Sequence, residues 1–153
     1  MTDPAAPGAI PDAVETTRFG RLAVDPETVI RFPDGIPGFA ELRAAIIVPS
    51  GAREDVVWLQ SVERGDLAFL AALAGSMFLG YAPVVEDEDC EQLHLTSADD
   101  AMVLCLLSVD GDAGAVTGNL RAPIIVNTVE RLGRQVILTD EDLPIRAPVG
   151  AGA

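Results

Sequence analysis

At 153 residues with 49% hydrophobic side chains, the chain suits one domain able to bury a sizeable core. Its net charge of −14 and isoelectric point near 4.2 repel phosphate backbones, which argues against direct nucleic-acid binding and favours a basic protein partner. All 10 basic residues are arginines, so a Schiff-base lysine and the lysine of a phosphate-binding loop are both excluded.

Residues 1–16 are rich in Ala and Pro, carry Asp3, Asp12 and Glu15, and offer few large apolar side chains. A disordered tail is expected there, with the folded domain at 17–149. No basic start followed by an apolar stretch marks a secretory signal. Thr17, Phe19, Leu22 and Val24 predict a strand bent at Gly20, Asp25 and Pro26 a turn, and Thr28 to Phe32 a partner strand. The run FPDGIPGF, Phe32 to Phe39, follows. Gly35 and Gly38 permit positive φ while Pro33 and Pro37 fix negative φ, so the loop should be shaped, with Ile36 and Phe39 anchoring it to the core. Ala40 to Arg43 suits one helical turn, and Ala45 to Val48 a strand.

Val56 to Gln60 reads as a strand carrying Trp58, the only tryptophan, as a core or interface residue. Leu67 to Val85 is a run of uncharged residues long enough to cross a membrane. Gly75, Ser76, Gly80 and Pro83 interrupt it, and Asp66 and Glu86 flank it where basic residues would be expected. A buried strand, Leu67 to Leu73, then a turn and an extended piece are predicted, with no membrane insertion.

Between Gly65 and Leu120 there is no arginine, and 10 acids concentrate the negative charge there. Glu86 to Leu93 predicts a short helix with Glu86, Asp87, Glu88 and Asp89 at its start, where the helix dipole favours them. Met102 to Val109 predicts a central strand, and Asp110 to Gly114 a turn from which Val116 pairs back.

The stretch Thr117 to Leu138, TGNLRAPIIVNTVERLGRQVIL, holds two β-rich runs, Ala122 to Asn127 and Gln135 to Thr139, joined by a polar, glycine-containing connection. They should pair as a hairpin. Pro123 cannot donate to a ladder and so belongs at a strand start or a free edge. Ile124, Ile125 and Val126 suggest a strand covered on both faces. Asn127, whose short amide can bond nearby backbone, marks where the strand stops, and the amides of Asn119 and Gln135 suit closure of a barrel end through bonds to neighbouring backbone. Leu143, Ile145 and Val149 form a last, proline-broken extended piece. Short strands separated by turns every eight to twelve residues predict a mainly β fold, a small antiparallel barrel-like domain with one or two short helices.

Chemistry finds little purchase. His94 is the only histidine, and no Gly-x-Ser-x-Gly turn presents a serine to it. Cys90 and His94 stand at helical i, i+4 spacing, two ligands where zinc takes three or four. Asp110, Asp112 and Gly114 echo part of a calcium loop, but Arg121 stands where the bidentate glutamate is needed. The glycines Gly111, Gly114 and Gly118 miss the dinucleotide spacing. Cys90 and Cys105 fit a reduced pair better than a disulfide. No catalytic, metal-binding or cofactor-binding residue is assigned, and a binding surface is the expectation.

Three boxes stand in order: FPDGIPGF, WLQS at Trp58 to Ser61 with Gln60 in it, and NLRAPIIVN followed by QVIL, which carries Asn119, Leu120, Pro123, Asn127 and Gln135. Together they resemble the flagellar assembly factor FliW family of bacteria, over about Thr17 to Val149. Two stretches depart from the family's habit: ALAGSM, where a Pro often follows the strand, and DLPIR, where an aromatic often stands near Leu143. The resemblance implies a non-enzymatic, cytoplasmic β-barrel-like protein that binds the translational repressor CsrA, relieving repression of flagellin translation, and that also binds flagellin itself. Joined to the charge, it implies a contact surface at Glu86, Asp87, Glu88 and Asp89 with Ile36 and Phe39 as apolar anchors. The other reading of the same barrel is a generic peptide- or small-ligand-binding module.

Overall fold

The computed structural model describes residues 10–51, 53–78, 80–109 and 115–149. Strand β1 (Ala13–Thr16) lies inside the stretch expected to be disordered. Val14 supplies the burial that expectation missed, since it is 7% exposed and faces Leu22 of β2 (Gly20–Ala23) across an antiparallel pair. Of the bent strand expected over residues 17–24, residues 17–19 are thus the turn of a hairpin and 20–23 its second arm. Its turn is closed by Thr16 Oγ1, which accepts from Phe19 N and donates to Gly20 O, both at 2.7 Å. Asp25 and Pro26 make a single 3₁₀ turn, Pro26–Thr28, so the partner strand shrinks to β3 (Ile30–Arg31).

The chain continues through β4 (Ala44–Pro49), β5 (Val56–Ser61) and β6 (Ala68–Leu73). A short helix α1 (Ala74–Met77) stands where a turn was expected, and α2 (Asp87–Gln92) carries the acids. Strands β7 (Ala101–Val109), β8 (Val116–Gly118), β9 (Ile124–Asn127), β10 (Leu132–Gln135) and β11 (Ala147–Pro148) complete it. The turn expected at Asp110 to Gly114 lies outside the described residues; Val109 and Val116 do pair at its two ends. Among the described residues no helix is long and apolar enough to cross a membrane.

Strands β3, β4, β5, β6, β7, β9 and β10 bond side by side, and β10 returns to β3, so the sheet closes into a ring. Closure leaves these strands no open edge. All its pairings are antiparallel except β10 with β3, where Leu132 faces Arg31 in parallel. The fold is therefore the expected mainly β, barrel-like domain with one parallel contact added. Nine-residue β7 holds it together because it serves two partners along one side, β9 near its start and β8 near its end. Leu104 faces Ile124 and Leu107 faces Gly118, so residues 119–123 leave the ladder as a bulge. Asn119 shapes that bulge: its Oδ1 accepts from Arg121 N at 3.0 Å and Ala122 N at 3.2 Å.

The ring interior is packed with Ile30, Phe32, Leu59, Leu104, Ile124 and Val126 among others, so it is a filled core. Period-2 alternation sends the other residues outward, yet these are covered too. The β1–β2 hairpin covers Ala44 and Ile46 of β4, while Leu93, Val136 and Leu138 cover Ile125 of β9. This double cover is why Ile124, Ile125 and Val126 are all apolar: each is fully buried. Pro123 stands just before β9, where no donor is needed.

The hairpin pairs as expected in partner but not in extent. β10 begins at Leu132, three residues before Gln135, and the turn is Thr128 to Arg131 with Arg131 at φ 56°. Asn127 Oδ1 accepts from Val129 N and Glu130 N, which tightens the turn enough to start the strand early. Beyond β10 the pairing persists through Val136 N to Pro123 O and Leu138 N to Arg121 O. Gly133 sits against the core: a Cβ there would fall 2.5 Å from Phe32 Cε1 and 3.0 Å from Ile30 Cγ2. Gly133→Ala is expected to cost about 1–3 kcal/mol as overpacking, seen as a lower urea midpoint with an unchanged m-value.

A further small core joins Ala74, Cys105, Leu120 and Ala147, with Leu143 and Tyr81 against it. Leu143 fills its place without an aromatic ring, and the α1 stretch packs through Ala74. The Tyr81 hydroxyl donates to Leu120 O. Burial raises the Tyr81 pKa and pushes the Cys105 thiol up to about 11. Because the native state holds Cys105 neutral, its contribution to stability is complete below pH 9, the thiol's ordinary value, and is lost as pH rises through about 11. The stability gap between wild type and Cys105→Ala should narrow over that interval, as urea midpoints measured at successive pH values will show.

Candidate partner-binding site

The loop from Phe32 to Phe39 owes its shape to two devices. Ile36 and Phe39 exchange backbone hydrogen bonds, 3.2 Å and 2.7 Å, around Pro37 and Gly38, with Gly38 at φ +85°. Proline then positive-φ glycine is what a type II turn requires. Gly35, at φ +67°, brings the loop so near its return arm that a Cβ would lie 2.7 Å from Ala40 O. Arg43 clamps the two arms, donating Nε to Ala40 O and Nη1 to Pro33 O, each at 2.8 Å. That clamp replaces the helical turn expected at Ala40 to Arg43, which is an irregular turn.

Ile36, expected to offer an apolar contact to a partner, is 2% exposed and belongs to the ring's core with Phe32 and Leu42. Phe39 does reach the surface at 39% exposure, with its ring edge-on to Phe69 at 4.9 Å. Pro37 and Gly38 are exposed beside it.

Helix α2 presents Glu86, Asp87 and Glu88 to solvent, whereas Asp89 turns inward. Arg134 of β10 donates Nε to Asp89 Oδ1 at 2.9 Å and pairs through Nη1 with Asp34 of the loop. One arginine therefore joins the acidic helix, the shaped loop and the hairpin. A partly buried pair of this kind holds geometry better than an exposed one, because water competes less for it. A cleft of about 480 Å³ opens between these pieces, lined by Asp34, Ile36, Pro37, Gln92, Arg134 and Gln135 among others. The loop and the acidic helix, expected to share one contact surface, are joined through Arg134. Arg134 was read as part of a connection, although in a chain with 24 acids and 10 arginines each arginine is a candidate tie between acidic segments.

The amides of the boxes work on backbone. Gln135 Nε2 donates to Ala122 O at 3.0 Å, and Asn127 Nδ2 donates to Leu93 O at 2.9 Å and His94 O at 3.2 Å. Asn127 thus ties the end of α2 to β9. Gln60, fully buried, aims Nε2 at the carbonyls of Ser61 and Leu67, 2.9 Å and 3.2 Å away. Leu120 is buried in the small outer core.

The residues weighed for chemistry are not gathered. α2 ends at Gln92 and His94 stands at φ 56°, so Cys90 and His94 do not share a helix face; His94 Nδ1 instead lies 3.3 Å from Glu130 Oε1. Among the described residues no group of three or more His, Cys, Asp or Glu side chains is placed to hold a metal ion. Asp110, Asp112 and Gly114 lie outside the described residues. Trp58 lies half-buried on the outer face, beneath the Arg18 guanidinium at 4.2 Å and edge-on to Phe19 at 6.1 Å.

Comparison with known proteins points one way. A family model described as FliW protein matches residues 13–149. The flagellar assembly factor FliW of Geotalea uraniireducens (strain Rf4) is 35% identical over 135 residues, covering 88% of this chain and 82% of the relative. That of Caldicellulosiruptor saccharolyticus (strain ATCC 43494 / DSM 8903 / Tp8T 6331) is 37% identical over 133 residues, 87% of each. A crystal structure of the flagellar assembly factor FliW superposes with a TM-score of 0.82 at 31% identity, covering 89% of this chain and 95% of that one.

Proposed function

The chain belongs to the FliW family of flagellar assembly factors, and from that premise we propose that it is a non-enzymatic, cytoplasmic regulator working by protein contact. Its partners, on this reading, are those the family resemblance implies: the basic repressor CsrA, whose block on flagellin translation it relieves, and flagellin. The observation that carries the proposal is the composite surface of α2 and the Phe32 to Phe39 loop, fused by Arg134. Exposed carboxylates at Glu86, Asp87 and Glu88 suit a basic partner, and exposed Phe39 supplies an apolar anchor for the same surface. Side chains packed through the ring interior favour an outer surface over the interior as the binding element.

The test is a pull-down from the source cell with the tagged full-length protein, the retained proteins being identified by mass. Recovery of CsrA or flagellin is the expected result. Recovery of neither, together with a ligand-dependent rise in melting temperature, would move the chain to the small-ligand class.

A further inference from the structure

On the far side of α2 from the loop, the outer face of the ring carries a second cleft, of about 500 Å³. Its floor is apolar, built of half-buried Val85, Leu95 and Val103 over fully buried Ile125, and Cys90 lines it from the helix. Its size lies within the roughly 300–1,000 Å³ of clefts that take ligands. Asp87 stands in its lining, Glu86 and Glu88 flank Asp87 on the helix, and Asp99 and Asp100 follow Ala98, another lining residue. Among the described residues Asp87, Glu88 and Asp99 have no ion-pair partner, and Arg134 is spent on Asp89 and Asp34. An apolar floor under an uncompensated acidic rim repels anionic lipid and nucleic acid, and gives an uncharged small molecule no use for the rim.

We infer that this cleft receives one or two large apolar side chains of a partner segment that carries arginine or lysine on both sides of them. Apolar burial sets how long such a segment stays, and the rim sets how fast it arrives and in which register. The inference rests on the proposed reading only in supposing a protein partner.

A fluorescent nine-residue peptide with two central leucines between arginines is the probe, titrated into the full-length protein at physiological ionic strength. Two twins accompany it, one with serines for the leucines and one with glutamates for the arginines. The leucine peptide is expected to bind at least about tenfold more tightly than the serine twin, and the glutamate twin not at all. Ala98→Phe, at an exposed position of a 3₁₀ turn, fills the cleft and should weaken the leucine peptide about tenfold without changing the melting temperature. Alkylation of Cys90 blocks the same cleft without mutation, since Cys105 is fully buried. Equal binding of the leucine and serine peptides, binding of neither, or indifference to both blocks overturns the inference. A protein that still captures CsrA or flagellin but ignores the probe loses this cleft and keeps its role; one that captures neither loses the role.

Discussion

Asn127→Ala is expected to lower unfolding stability by roughly 3 kcal/mol and to speed amide exchange at the end of α2 and in the following residues. The side chain is 2% exposed and serves four backbone groups: the carbonyls of Leu93 and His94, and the amides of Val129 and Glu130. Deleting it strands several polar atoms at once, and each costs about 1–3 kcal/mol where water cannot replace the lost partner. Asn127→Asp separates the two duties. An aspartate keeps the acceptor that tightens the turn but presents a second acceptor to two carbonyls, so α2 should loosen while the β9–β10 turn stays protected. Exchange that rises equally in turn and helix for both variants would refute the tether and leave only a general loss of packing.

The same residue shows what could be read from sequence and what could not. An asparagine closing an apolar run marks the end of a strand, and three consecutive buried-type residues mark cover on both faces; both features are local, and the ring displays them at Ile124 to Asn127. The Pro-Gly turn at Pro37 and Gly38 was legible for the same reason, since φ restrictions act within a residue. β1 was not, because its one large apolar residue, Val14, finds cover in a cluster whose other members include Val29, Ile46 and Val62, far from it along the chain. The early start of β10 depended on a side-chain cap four residues upstream of Arg131 combined with a left-handed residue that is not glycine. Ile36 suits two roles from its sequence, core anchor of the loop and contact for a partner, and only the return arm, clamped by Arg43, shows that it serves the core. The role of Arg134 is not legible locally because it lies in two acids, Asp34 and Asp89, which sit 100 and 45 residues away from it along the chain, respectively.

Simultaneous reversal of Glu86, Asp87 and Glu88 to lysine is expected to slow association with a basic partner by about tenfold or more at low ionic strength, and to flatten the dependence of the rate on salt. Each change adds two charges, so the net charge moves from −14 by 6 to −8, and the whole difference falls on one exposed patch. Asp89 is left out deliberately. Its carboxylate is 18% exposed and bound to Arg134, so a lysine there would face an arginine and release the loop, confusing a steering effect with local unfolding. The three reversed positions carry no such tie among the described residues, so the melting temperature should fall only slightly, by what three cations at a helix start cost against its dipole. Dissociation should change little, because exposed rim charges act mainly on encounter; at about 0.1 M salt their reach is about 10 Å. Stopped-flow association rates at several salt concentrations decide the matter. Wild-type rates and slope in the triple variant would remove α2 from the encounter surface, whereas a faster dissociation alone would place these carboxylates in direct, desolvated contact with the partner.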